Sequence, residues 1–196
     1  MTVDVYVSDF DDAFIEDIDE IIEDTMVQMF ILHPKDQENL DAVQDLAKEH
    51  NSIFYTVPAS LLEQADANCV AVSISTAREL SGVEEQVIMV DEQVLDTNLE
   101  EALKDYRGVV LNATKTHDSL ENFFLSVGPN TIEAFNKEEL NKLSMDKLVL
   151  QSYYPQHHFD TILPTVKKIS DVMFRPDQSI VARATKNSLE LFGFKK

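Results

Sequence analysis

Residues 27–57 read VQMFILHPKDQENLDAVQDLAKEHNSIFYTV, and this stretch sets the fold class. VQMFIL, at 27–32, is an apolar run rich in β-branched and aromatic residues, the composition of a buried strand. Residues 36–50 place Leu40, Val43, Leu46 and Ala47 on one helical face and charges on the other, the pattern of a covering helix. A second apolar run, IFYTV, follows at 53–57. Strand, amphipathic helix and strand in succession form a βαβ unit, in which the helix carries the chain back so that the two strands run parallel.

The same alternation extends outward in both directions. Further strands are expected at 3–8, 69–75, 87–90, 109–113, 131–135 and 147–151, which brings the number to eight. Most are continuously apolar rather than alternating, as strands covered on both faces are. Helical periodicity returns at 99–106, 118–125 and 137–143, and the acidic residues after 8 read as a solvated loop that starts a helix. The chain ends in two helices, 159–174 and 177–192, with Pro176 as the break between them. Only four glycines occur in 196 residues, and no linker or shift in composition marks a boundary. The expectation is one domain, 1–196, folded as a compact (β/α)8 TIM-like barrel. Such barrels usually need about 250 residues, so this one should be stripped of most loop insertions.

Charge narrows the functions available. Thirty-six Asp and Glu against 16 Lys and Arg leave a formal charge of −20, and a phosphate backbone is held by cations that this chain scatters over several elements. No nucleic-acid partner is expected. The single Cys69 lies in an apolar run and reads as a small buried hydrophobe in a reducing compartment. No targeting segment and no membrane span is expected, and the cytoplasm is the expected location.

The C-terminal stretch 161–194, TILPTVKKISDVMFRPDQSIVARATKNSLELFGF, resembles the closing helices of the TatD-type metal-dependent hydrolases. Those helices carry a proline, an apolar helix and an ending matched here by Thr185, Asn187, Leu191, Phe192 and Gly193. Residues 147–155, KLVLQSYYP, are similar to the family's last strand, Arg-Leu-Leu-Leu-Glu-Thr-Asp-x-Pro. GVVLNAT at 108–114, followed by FFLSVGPNTI at 123–132, resembles its Gly-x-x-His-Cys-Phe strand and the segment after it. VDVYVSDF at 3–10 stands where the family has Ile-Asp-x-His-x-His, with Asp4 in common. The resemblance implies an amidohydrolase-like barrel with its active face at the strand ends.

It also implies metal ligands that this chain does not supply. The His-x-His positions fall on Tyr6 and Ser8, the Glu near Ser73, one His near Val90 or Asp91, another at Leu111, and the last-strand Asp at Tyr153. Only Asp91 is an ordinary ligand, and one carboxylate does not hold a two-metal centre. The expectation is therefore no metal, no cofactor and no catalytic residue. A degenerate pocket is left, made of Tyr6, Ser8, Ser73, Asp91, Leu111, Asn112, Gln151 and Tyr153.

Two questions stay open at this level. That polar and aromatic set can orient a small polar ligand or simply fill the barrel top. A rebuilt site is the other alternative: Asp91, the rim histidines His33, His157 and His158, and the acidic run Asp9, Asp11 and Asp12 together give a metal-dependent hydrolase acting on phosphoesters. Ser8, Ser73 and Ser75 do not suggest nucleophilic chemistry, since no Gly-x-Ser-x-Gly turn surrounds them. Tyr154 and Phe159 offer a protein-facing patch. The leading expectation is a non-catalytic binding or assembly module for a protein partner or a small polar ligand, its oligomeric state unspecified.

Overall fold

Eight strands, each paired in parallel with its sequence neighbour, wind into one sheet: β1 (Thr2–Val7), β2 (Val27–Leu32), β3 (Ile53–Pro58), β4 (Cys69–Ile74), β5 (Ile88–Asp91), β6 (Gly108–Leu111), β7 (Phe123–Val127) and β8 (Leu148–Leu150). The computed structural model describes residues 1–8, 10 and 12–194, and for 12 and 13 the backbone alone. Closure comes where Val7 bridges Tyr154, with the Ser8 N–H donating to the Tyr154 carbonyl at 3.2 Å. The result is a nearly closed (β/α)8 barrel. Among the described residues, no helix is long and apolar enough to cross a membrane.

Two apolar layers explain why the strands read as continuous runs. Val3, Val5, Ile31, Ala71, Met89, Val109, Leu111 and Val149 pack together inside the barrel. Phe30, Leu32, Tyr55, Val57, Val72, Val90, Val110 and Leu150 face the outer layer. That layer is covered by α1 (Asp12–Asp24), α2 (Gln37–Glu49), α3 (Thr97–Leu103), α4 (Pro129–Ala134), α5 (Lys137–Lys142), α6 (Ile162–Met173) and α7 (Asp177–Phe192). Helix α2 buries Leu40, Val43, Leu46 and Ala47, and starts where the Asp36 carboxylate accepts the Asn39 N–H at 2.9 Å.

The chain is short because three connections do without an α-helix. Single 3-10 turns, Ala59–Gln64 and Ala77–Leu80, follow β3 and β4, and no regular helix separates β6 from β7. This last connection corrects two expectations. Residues 118–125 are not a helix, since their second half opens β7, and 131–135 are not a strand. Pro129, directly after Gly128, begins α4 instead, because its fixed φ suits a first helical position and its missing N–H is not needed there. FFLSV, aromatic and β-branched, has the composition of the seventh strand.

The C-terminal ending closes the bottom of the barrel. Asn187 Nδ2 donates to the carbonyls of Met145 (2.8 Å) and Leu148 (2.7 Å), and the Thr185 hydroxyl donates to the Met1 carbonyl at 2.9 Å. Leu191 and Phe192 join the interior cluster, and Gly193, at φ 65°, ends α7 in the left-handed conformation that glycine adopts without strain. These matched residues hold strand starts together, at the end of the barrel away from its mouth.

Candidate functional site at the barrel mouth

At the C-terminal ends of the strands, where barrels of this type carry their sites, the mouth divides into two unlike halves. One half is open. A cavity of about 330 Å³ is lined by Tyr6, Ser8, His33, Lys35, Ser60, Ser73, Ser75, Glu79, Met89, Asp91 and Leu111 among others. Met89 and Leu111 are buried and give it an apolar floor. Ser73 follows Ala71 on the inward side of β4, as the period of two requires. Glu79 arrives on the 3-10 turn after β4, where its carboxylate accepts the N–H groups of Ser75 (2.5 Å) and Thr76 (3.1 Å).

The other half is filled by hydrogen bonds. Gln151, fully buried, accepts from the Ser126 hydroxyl (2.5 Å) and the Asn112 N–H (3.3 Å), and its own amide donates to Asn112 Oδ1 at 2.6 Å. Asn112 Nδ2 in turn donates to Asp91 Oδ2 at 2.5 Å. This chain links the ends of β5, β6, β7 and β8 and leaves Gln151 and Asn112 no place in the open cavity. Tyr153 stands on the rim, with its ring stacked on Tyr6 at 5.7 Å. Both Asn112 (φ 55°) and Tyr153 (φ 70°) have left-handed backbones, an uncommon conformation for residues other than glycine.

No family model matches the chain, and no curated sequence matches it. Solved structures are similar to it over nearly their whole length. YJJV, a TatD homolog from Escherichia coli K12, superposes with a TM-score of 0.73 at 14% identity, over 98% of this chain and 98% of that one. A hydrolase TatD family protein from Entamoeba histolytica gives 0.75 at 10% identity, over 99% and 98%. An uncharacterized amidohydrolase from Saccharomyces cerevisiae gives 0.72 at 8%, over 97% and 99%. The chain has the TatD fold.

A metal in a TatD barrel needs histidines and carboxylates converging from strand ends, and the donors among the described residues do not fit one. Among the described residues no three His, Cys, Asp or Glu side chains gather into a possible metal site. Asp91 already accepts from the Gln93 N–H (2.9 Å) and from Asn112. Both ring nitrogens of His33 are engaged, with Nε2 donating to the Val5 carbonyl (3.0 Å) and Nδ1 accepting from the Thr56 hydroxyl (3.1 Å). Burial holds this ring neutral, lowering its pKa to about 4. His157 turns to Asn130, and His158 caps the 3-10 turn that precedes α6. Asp9 and Asp11 lie outside the described residues, as does the Asp12 side chain.

Of the eight residues expected at the site, Tyr6, Ser8, Ser73, Asp91 and Leu111 line the open cavity, and Tyr153 adjoins it through Tyr6. Ser8 is buried, with its hydroxyl donating to the Tyr154 carbonyl at 3.2 Å. The expected aromatic patch does not form. Phe159 is fully buried beneath Tyr154, with ring centroids 4.7 Å apart, in a cluster with Phe14 and Phe30. Cys69 is half-buried, and burial pushes its thiol up to about 11. Sequence reasoning missed Ser60 and Glu79, which ride on the two 3-10 turns. Ser-Thr-Ala-Arg-Glu at 75–79 did carry the Thr-x-x-Glu signature of a capped turn.

Proposed function

We propose that this chain is a TatD-type barrel without metal-dependent hydrolysis, acting as a non-catalytic binding module that recognises its ligand at the open half of the mouth. One observation carries the reading: Tyr6, Ser8, Ser73 and Leu111, at positions where the resemblance calls for ligands, line an open cavity, with Tyr153 beside it against Tyr6. Hydroxyls and a hydrocarbon floor cannot offset the loss of a divalent ion's water shell. The same surface can orient a small polar molecule.

Elemental analysis of untagged protein after dialysis, combined with a phosphodiester hydrolysis assay, tests this. Substoichiometric metal and no turnover above background are expected. Stoichiometric zinc, manganese or magnesium, with turnover abolished by Asp91→Ala, would establish a rearranged phosphoester hydrolase instead. A gel shift at physiological salt should show no DNA binding, since a −20 chain repels the phosphate backbone.

A further inference from the structure

We propose that the open half of the mouth takes a neutral polyhydroxylated small molecule, of the size of a monosaccharide or a cyclitol. The proposal rests on the reading of this barrel as a binding module and names the ligand class. Three features of the cavity point the same way.

The first is its two-sided chemistry. Met89 and Leu111 present hydrocarbon from the floor, while Ser73, Ser75, Asp91 and Glu79 present oxygen from the wall. A ring with C–H bonds on its face and hydroxyls at its edge matches both surfaces together, whereas a purely apolar ligand would leave the wall without partners.

The second is the acceptor capacity that the fold leaves over. Each carboxylate oxygen has two lone pairs, and among the described residues each oxygen of Asp91 meets a single donor, from Gln93 or from Asn112. Glu79 accepts its backbone bonds through Oε2, which leaves Oε1 for another donor. The half-buried Ser73 hydroxyl, which both donates and accepts, has no protein partner among the described residues. Carboxylates that are already positioned accept ligand O–H groups without further ordering of their side chains.

Charge and size supply the third. Asp91 and Glu79, on a strongly acidic chain, oppose an anion. A neutral hydroxylated molecule does not meet that opposition, and its O–H groups are donors for these carboxylates. A cavity of about 330 Å³ has room for one six-carbon ring.

Titration calorimetry with glucose, ribose and myo-inositol, with inorganic phosphate and choline as charged probes, tests the assignment. At least one of the three neutral compounds should bind with Kd below about 1 mM. Asp91→Asn and Ser73→Ala should each weaken it at least about fivefold, the size of one lost hydrogen bond. Phe174→Ala, on an exposed residue far from the cavity, should leave the affinity unchanged, and circular dichroism should show all three variants folded. Silence from all three neutral compounds at about ten times that concentration would overturn the proposal. Binding of phosphate or choline that depends on Asp91 would overturn the ligand class while sparing the non-catalytic reading. Stoichiometric metal with phosphodiester turnover would overturn that reading itself.

Discussion

Asp4 on β1 accepts the backbone N–H of Ser152, 148 residues further along the chain, at 3.2 Å to each carboxylate oxygen, and the Ser152 hydroxyl as well. It also accepts the Tyr6 N–H at 3.1 Å, so one buried side chain joins the first strand to the segment after the last. Burial raises its carboxyl to about 7, against the lowering effect of those hydrogen bonds. The contribution of Asp4 to stability is therefore fully present below its ordinary value of 3.8 and is lost as pH rises through about 7. His33 runs the other way. Its pKa is lowered from 6.5 to about 4, so its contribution is present above 6.5 and lost as pH falls through about 4.

Between about 4 and 6.5 these two groups cancel. The fold keeps a proton on Asp4 and none on His33, while the unfolded chain keeps one on His33 and none on Asp4, so the pair adds no pH slope. Asp4→Asn removes one half of the balance and still accepts the Ser152 N–H. Relative to wild type, its stability should rise with pH from 4 to 7, as read by urea unfolding at several pH values. Parallel profiles for the two proteins would refute the assignment. Asp4→Ala, which also strips the acceptor from two N–H groups, should follow the same pH trend and lie about 2–4 kcal/mol below Asp4→Asn at each of these pH values.

Gly108 opens β6 against Ile88 of β5. A Cβ there would overlap the Ile88 carbonyl oxygen and come within 2.6 Å of the Phe123 ring. Neither neighbour can give way, since one is paired backbone and the other is packed in the outer layer. Gly108→Ala should therefore cost more than about 3 kcal/mol in thermal or urea unfolding. Gly82→Ala provides the contrast. Nothing stands within 4 Å of its Cβ position, and only its φ of 90° opposes the change, so about 1 kcal/mol is expected.

The barrel was legible wherever burial on both faces forced an apolar run. Residues 27–32, with four of six side chains at 0–1% exposure, have the expected bounds to the residue. Helix α2 was equally clear, because its stripe and its Asp36 cap agree. Legibility failed at 118–135, where Leu120, Phe123 and Leu125 mimic helical spacing although the connection is too short to form a helix. The mouth was read residue by residue, but its division into halves was not. That division depends on Asn112 reaching both Asp91 and Gln151, 39 residues later, and no local pattern encodes such a contact. A second polar cluster escaped for the same reason, since its members Glu92, Glu100 and His117 are brought together only by the fold.

In that cluster the buried His117 ring lies between two carboxylates, with Nε2 2.6 Å from Glu92 and Nδ1 3.0 Å from Glu100. Ionised carboxylates only accept, so a ring nitrogen that bonds one does so as the donor. Thr114 donates to Glu92 from its N–H (2.8 Å) and its hydroxyl (2.5 Å), and the Ser119 hydroxyl donates to Glu100 at 3.1 Å. The cluster thereby fastens the helix-free crossover between β6 and β7 to the turn after β5 and to α3. Burial works to raise both glutamates, but the hydrogen bonds from Thr114, His117 and Ser119 outweigh it and hold both carboxyls below their ordinary value. A lowered carboxyl contributes stability that is present above its ordinary pKa of 4.5 and is lost as pH falls through the lower folded value. His117→Ala should cost about 2–4 kcal/mol at pH 7, because it leaves two carboxylates facing each other without the ring that stands between them and bonds both. Two further results should follow in urea unfolding. The loss should shrink as pH falls below 4.5 and the carboxyls take up protons, and it should shrink at pH 7 when His117→Ala is combined with Glu92→Gln and Glu100→Gln. A loss that is the same at both pH values and unchanged in the triple variant would mean that His117 acts only by filling space.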